Sequence, residues 1–328
     1  MNSVSADDSI SWQSKMNQLG KNRIPFLFIL DFELKHPIVL PLSEIGDDIL
    51  YKFNHIQNYE ELSLQSGMRS FTTKPISYKA YKKAFDSVQH EIQQGNSFLL
   101  NLTFPTRVET DATLKEIFDA AKARYKLNYK NQFVVFSPEI FVQIHDGRIF
   151  TYPMKGTIDA AMPNAAQMIL NDTKETAEHY TIVDLLRNDL SMVATSVHVN
   201  RFRYIDTLHT IKKTLLQVSS EIEGNLPENH LSHLGDIFDK ILPAGSVSGA
   251  PKKKTLEIIR KNEIDARGYY TGIFGIFDGT SVDSAVMIRY MENANGQLLY
   301  RSGCGITALS DSSSEYQEMI DKVYVPVG

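Results

Sequence analysis

The sequence predicts an α+β fold in which helices pack outside antiparallel sheets. Three observations carry that reading. β-rich runs meet at tight hairpin signals, His145-Asp146-Gly147-Arg148, Asp278-Gly279 and Asn295-Gly296. Helical stretches separate those runs. Strands and helices nowhere alternate as βαβ units, so a parallel sheet is not expected.

Taken in order, residues 24–41 are apolar enough for one or two strands, and residues 46–72 read as loop with short elements. Ser77 can cap a helix that carries Tyr81, Phe85, Val88 and Ile92 on one face and stops at Gly95. From Phe133 to Tyr152 the chain alternates (Phe133, Val135, Phe141, Ile144, Ile149, Thr151) and reads as one hairpin. Residues 164–193 and 231–241 read as helical, Pro251 opens another helix, and Gly272 to Thr307 reads as three β-rich runs in a meander. A last helix is expected from Ser312, with the capping box Ser312…Glu315.

With 42% hydrophobic and 22% charged residues, the 328-residue chain can bury a large core. Its net charge of −5 comes without basic runs, which argues against a nucleic-acid partner. Met1 to Trp12 is polar and acidic, unlike a signal peptide, and no apolar run approaches the roughly 20 residues that span a bilayer, so a cytoplasmic protein without a membrane partner is expected. One domain over 1–328 is expected, since no linker or repeat divides the chain. The one cysteine, Cys304, reads as a buried small hydrophobe.

Four pieces could carry chemistry. Tyr152-Pro153-Met154-Lys155-Gly156-Thr157 puts a lysine at the end of a predicted strand, fenced by proline and glycine. A lone lysine is usually solvated, so this one needs company to matter. Carboxylates form the second piece: Glu139 in Ser137-Pro138-Glu139, and two helical i, i+3 pairs, Glu175 with Glu178 and Glu315 with Glu318. Such pairs are often solvated faces, and Glu318 can also pair with Lys322, but two faces brought together would make an oxygen cage for Mg²⁺. Third is the Gly-rich loop Leu242–Pro251 running into a helix, with Gly303 and Gly305 around Cys304; amides freed there suit an anion, although glycines mark plain turns more often. Fourth is Arg289, a charged residue in an apolar β-run and a possible carboxylate clamp, with Arg267 and Lys322 elsewhere.

In order, these pieces resemble the chorismate-utilising enzymes. Nine stretches carry the likeness: GNSFLLNL from Gly95, Ser137-Pro138-Glu139, PMKGT from Pro153, Glu178 with IVDLLRNDL from Ile182, PAGSVSGAP from Pro243, RGYYTGIFG from Arg267, Ile288-Arg289, SGCGI from Ser302 and EYQEMIDK from Glu315. The family core spans 77–324 and residues 1–75 are a shortened N-terminal part, which implies a reduced or missing regulatory tryptophan pocket. The resemblance implies a β-sandwich core wrapped by helices. It implies Mg²⁺ held by Glu178 and Glu318, with Glu315 and Glu175 close by. Substrate contacts are implied at Thr157, Ser246, Gly249, Tyr270, Arg289, Gly303, Gly305 and Lys322, with Arg289 and the backbone of 303–305 on the enolpyruvyl carboxylate.

Lys155 is similar to the lysine of the aminodeoxychorismate synthase branch, where anthranilate synthases carry alanine. That likeness implies attack of the Lys155 amine on ring C2 of chorismate, with Glu139 as general acid, followed by ammonia at C4. An unperturbed lysine, with a pKa of about 10.4, is mostly protonated at pH 7, so the site is expected to depress it. Two positions depart from the family: Leu99 stands where relatives carry glutamine or a general-base lysine, and Gln217 is the candidate for a histidine that relatives carry before Val218-Ser219. No glutaminase signature is present, which implies ammonia from a separate glutamine amidotransferase subunit. Competing expectations are an anthranilate or isochorismate synthase and a silent chorismate-binding paralogue.

Overall fold

The computed structural model describes residues 10–61, 70–209 and 214–326. Ser11 caps α1 (Trp12–Lys21), which buries Met16 and Leu19. Then come β1 (Phe26–Leu30), β2 (Ile38–Pro41), β3 (Ile49–Phe53), β4 (Ile56–Gln57) and β5 (Phe71–Lys74). The expectation for 46–72 holds where it can be followed, since only short strands appear; residues 62–69 lie outside the described residues. Ser77 accepts from the Ala80 amide and starts α2 (Tyr78–Gln93), whose buried face is Tyr81, Phe85, Val88 and Ile92, as its spacing requires.

Next are β6 (Leu99–Thr110), α3 (Leu114–Ala120), β7 (Tyr125–Tyr129), β8 (Phe133–Ser137), β9 (Ile140–His145), β10 (Arg148–Thr151) and β11 (Met154–Asp159). Helices α4 (Ala165–Asn171) and α5 (Thr173–Ser191) precede the long strands β12 (Thr195–His209) and β13 (Thr214–Asn225). The chain continues through α6 (Leu234–Ile241), α7 (Gly245–Ser248), β14 (Gly249–Ala250) and α8 (Lys252–Asn262). It closes with β15 (Ile273–Phe277), β16 (Val282–Val286), β17 (Tyr290–Ala294), β18 (Gln297–Ile306) and α9 (Ser312–Asp321).

The strands form two nine-stranded antiparallel sheets, ordered β11-β13-β10-β9-β16-β15-β1-β2 with β12 on β13, and β14-β6-β18-β17-β8-β7-β3-β4 with β5 on β6. Leu27, Ile29, Phe274 and Ala285 of the first sheet pack against Phe53, Tyr125, Leu127 and Val135 of the second, which makes the sandwich interior. The other face of the first sheet is covered by α1, α5 and α6 through Met16, Ile182, Leu186 and Phe238, and helices α2, α8 and α9 cover part of the second through Tyr81, Ile258 and Met319. The predicted α+β class, with helices outside antiparallel sheets, is therefore what the chain adopts.

Three local expectations are corrected. The run from Phe133 to Tyr152 is not one hairpin, because β8 pairs in the second sheet while β9 and β10 pair in the first. Pro138 has no amide proton to continue the β8 ladder, and the chain changes sheet there. The meander at 272–307 is likewise two hairpins, β15-β16 in the first sheet and β17-β18 in the second, with the change at Met287–Arg289. In the last helix the cap is Asp311, whose carboxylate accepts from the Ser314 amide at 3.0 Å, and not Ser312.

Candidate active site

The two sheet changes lie side by side. Phe136 donates its amide to the Arg289 carbonyl and Val286 donates to the Glu139 carbonyl, each at 3.1 Å, so Glu139 and Arg289 emerge together. Arg289 takes the left-handed conformation (φ 53°), strained for a residue with a β-carbon. Its guanidinium lies 5.0 Å from the centre of the Tyr324 ring, and its buried Nε has no hydrogen-bond partner. These crossovers form one end of a cavity of about 410 Å³.

A second wall is built by β11 and α5. Lys155 lies at the start of β11, not at the end of a strand, and its Nζ donates to Glu178 Oε2 at 3.1 Å. Gly156 is required here: with φ +75° it makes the bulge after Lys155, and a β-carbon would lie 3.2 Å from Glu175 Oε2 and 3.3 Å from Ile169. One residue beyond Glu178, His179 is 1% exposed and its Nε2 lies 2.7 Å from Ser220 Oγ on β13. Burial first, then Arg203 and Lys155, pushes its pKa down to about 4, so the ring is neutral and anchors α5 to the sheet.

The third wall is α9. Glu318 pairs with Lys322 at 2.7 Å, and Lys322 Nζ also donates to the Gly303 carbonyl at 3.0 Å. Cys304 is 1% exposed, as expected of a small hydrophobe, and its ligand atom and those of Glu315 and Glu318 lie within 4.8 Å of one another. Burial opposes the charge on Glu318, but Lys322 and then Lys155 outweigh it and hold the carboxyl below its usual range.

The Gly-rich loop forms the last wall, and it is not the open anion site its glycines suggest. The Gly245 amide donates to Asp189 Oδ2 at 3.1 Å, and the Val247 and Ser248 amides turn back to the Ala244 carbonyl. Asp189 in turn holds Lys252 at 3.1 Å, which ties the end of α5 to this loop. Arg267 is also structural: it is 1% exposed, pairs with Glu263 at 2.6 Å and donates to the Val247 carbonyl at 2.7 Å. Gly249 (φ +123°) brings β14 against β6 so closely that a β-carbon would lie 1.9 Å from the Leu99 carbonyl oxygen.

Electrostatics divide the titratable groups. Burial raises the Glu139 carboxyl, against a hydrogen bond from Ser246 and the charges of Lys155, Arg289 and Lys322, so it favours the protonated form that a general acid needs. Burial also opposes the charge on Lys155, but Glu178, Glu175 and Glu318 outweigh it and the amine is raised. That corrects the expectation of a depressed lysine: three carboxylates in one cavity favour the ammonium form.

Apart from Arg267, the residues that the sequence nominated line this cavity: Glu139, Lys155, Thr157, Glu175, Glu178, Ser246, Gly249, Tyr270, Arg289, Gly303, Gly305, Glu315, Glu318 and Lys322, together with Leu99 and Gln217. Gln217 is the ladder partner of Thr157. Sequence reasoning missed Asn101, which donates to the Val247 carbonyl at 3.1 Å, and the anchors His179, Ser220 and Asp189. Asp189 had a signal, a carboxylate at the polar end of the apolar helix run from Ile182; His179 had none.

A family model described as chorismate binding enzyme matches residues 44–327. The chain is 52% identical over 316 residues to an uncharacterised PabA-like protein of Pasteurella multocida (strain Pm70), covering 95% of this chain and 97% of that one. It is 30% identical over 258 residues to aminodeoxychorismate synthase component 1 of Salmonella typhimurium, covering 74% of this chain and 56% of the relative. Among solved structures, anthranilate synthase component I from Streptococcus pneumoniae superposes with a TM-score of 0.66 at 26% identity, over 79% of this chain and 60% of that one.

Proposed function

Because the chain belongs to the family of chorismate-binding enzymes, we propose that it is an aminodeoxychorismate synthase, exchanging the C4 hydroxyl of chorismate for an amino group. The observation that carries this reading is the Lys155 amine within the cavity, 3.1 Å from Glu178 and sharing its walls with Glu139 and Arg289. The resemblance points the same way, since the anthranilate branch carries alanine at that position.

In the proposed reaction the Arg289 guanidinium takes a substrate carboxylate, which gives its buried Nε a partner. Neutral Lys155 attacks ring C2, both double bonds of the ring diene shift one bond towards C4, and the C4–O bond breaks while Glu139 gives the proton that lets the hydroxyl leave as water. Ammonia adds at C4 and returns a proton to Glu139, both double bonds shift back, and the C2–N bond to Lys155 breaks. The sum is chorismate plus ammonia giving aminodeoxychorismate plus water.

The proposed ligands of Mg²⁺ are Glu178 and Glu318, with Glu175 and Glu315 beside them in the same cavity, because carboxylate oxygens suit that ion. When bound, the ion supplies positive charge that offsets the carboxylate field now favouring the protonated form of Lys155. Cys304 cannot act as a glutaminase nucleophile, since it is the one cysteine of these 328 residues, is 1% exposed and has its thiol pushed up by burial. Ammonia is therefore proposed to come from a separate glutamine amidotransferase subunit. No helix among the described residues is long and apolar enough to cross a membrane.

Intact-mass spectrometry after incubation with chorismate and Mg²⁺, but without ammonia, tests the lysine step. The expected species is protein plus chorismate less one water, mapped by peptide analysis to Lys155. Turnover of chorismate by both the parent and Lys155→Ala, with no adduct in either, would overturn the reading.

A further inference from the structure

A second cavity, of about 460 Å³, opens on the outer face of the second sheet. Its floor is β7, where Tyr125 and Leu127 face the sandwich interior and the alternate residue, Lys126, faces α3. Lys126 is 4% exposed, and its Nζ lies 4.3 Å from the centre of the Phe118 ring and 5.2 Å from that of Tyr59. Among the described residues it has no carboxylate within ion-pair distance, an uncommon state for a buried ammonium.

The surroundings deepen that imbalance. Lys52 of β3 is the direct ladder partner of Lys126, a placement in which like charges repel. The two carboxylates at the cavity are already engaged, Glu61 with Lys52 at 2.6 Å and Asp119 with Lys115 at 2.5 Å. Lys122 adds a cation at the rim beside Glu61, so three lysines face two acids, while the Arg124 guanidinium turns away to Asn54 Oδ1. Burial first, then Lys52, pushes the Lys126 pKa down to about 8, as expected of a cation short of counter-charge. A second group points the same way: the Tyr59 hydroxyl, also lining the cavity, is buried and has no hydrogen-bond partner among the described residues. Buried donors without acceptors are rare in folded proteins and mark an absent acceptor.

We infer that this cavity binds a small oxyanion, the phosphate or carboxylate group of a metabolite, on the Lys126 ammonium and the Tyr59 hydroxyl, with Lys52 and Lys122 around it. The site lies apart from the chorismate cavity, with which it shares no lining residue, and it does not depend on the proposed reaction. A charge-assisted hydrogen bond in a buried setting is strong, so Lys126 and Tyr59 dominate affinity while Lys122, exposed at the rim, contributes through its field.

Calorimetric titration of the full chain with inorganic phosphate, and separately with malonate, against sodium chloride of equal ionic strength tests this. Saturable binding of either is expected; tighter phosphate identifies a phosphate group as the natural ligand and tighter malonate a carboxylate. Lys126→Met should weaken binding by about tenfold or more, and Tyr59→Phe, which removes one oxygen and keeps the ring, by several-fold. Any binding in the other cationic cavity is removed by Arg289→Ala, and in that background the loss caused by Lys126→Met should be the same. Binding no better than chloride, or equal binding by the parent, Lys126→Met and Tyr59→Phe, would overturn the assignment.

Discussion

Helices α5 and α9 each offer two glutamates one turn apart and each meets a lysine, yet the two lysines are held differently. At α9 the lysine belongs to the same helix: Lys322 follows Glu318 by one turn and is fixed a second time by the Gly303 carbonyl. At α5 the lysine comes from another element, and among the described residues its amine donates to Glu178. The doubly held lysine is part of the wall. The singly held one becomes free to move once Glu178 takes another partner. Paired charges at i, i+4 are common on helices and say little about function, whereas a lysine brought by a bulged strand to a distant carboxylate has been positioned by the fold.

The sharpest way to break this comparison is to remove each lysine. Lys155→Ala is expected to lower the amination rate about a thousandfold or more while chorismate still binds, because a covalent nucleophile is lost. Lys322→Ala should cost far less, on the order of tenfold, mainly in KM. Equal losses in steady-state assays would erase the distinction.

Glu139→Gln should lower kcat by about a hundredfold, the usual worth of a positioned acid. Its pH profile sharpens the assignment. The raised Glu139 carboxyl loses its proton as pH rises, which lowers the rate on the alkaline side, while loss of the Lys155 proton raises it. In Glu139→Gln only the rising limb should remain.

Two smaller effects test the α5 wall. His179, with its folded pKa depressed to about 4, contributes stability that is present above the unfolded value of 6.5 and is lost as pH falls from there toward about 4. The loss amounts to at most roughly 3 kcal/mol. Denaturant titrations at pH 7 and pH 4.5 should show it, and His179→Gln should flatten the difference. Gly156→Ala forces a β-carbon into a left-handed position beside Glu175 and should cost about 1–2 kcal/mol, with reduced activity at every pH.

Much of the site was legible because its residues punctuate the sequence. Pro153 and Gly156 fence Lys155, Pro138 precedes Glu139, and the acid pairs keep helical spacing. The hairpins were legible from their turns, but the sheet changes were not: from Val286 to Tyr290 only Arg289 interrupts an apolar, β-like run, and a single charged residue reads as a side chain facing a cavity or solvent rather than as a change of sheet. The buried His179 was invisible for a similar reason, because a polar residue reads as exposed on a helix whose neighbours Glu178 and Tyr180 are polar too. The ionisation of Lys155 was misjudged because it was argued from what the reaction needs, and the field of three carboxylates from two helices exists only once the chain is folded.

The central claim is that Lys155 makes this cavity an aminating one. Mass spectrometry of the products from purified protein, chorismate, Mg²⁺ and ammonium at mildly alkaline pH tests it, run beside Lys155→Ala. Aminodeoxychorismate from the parent protein and none from the variant is the predicted result; anthranilate, isochorismate, or aminodeoxychorismate from both proteins would contradict it.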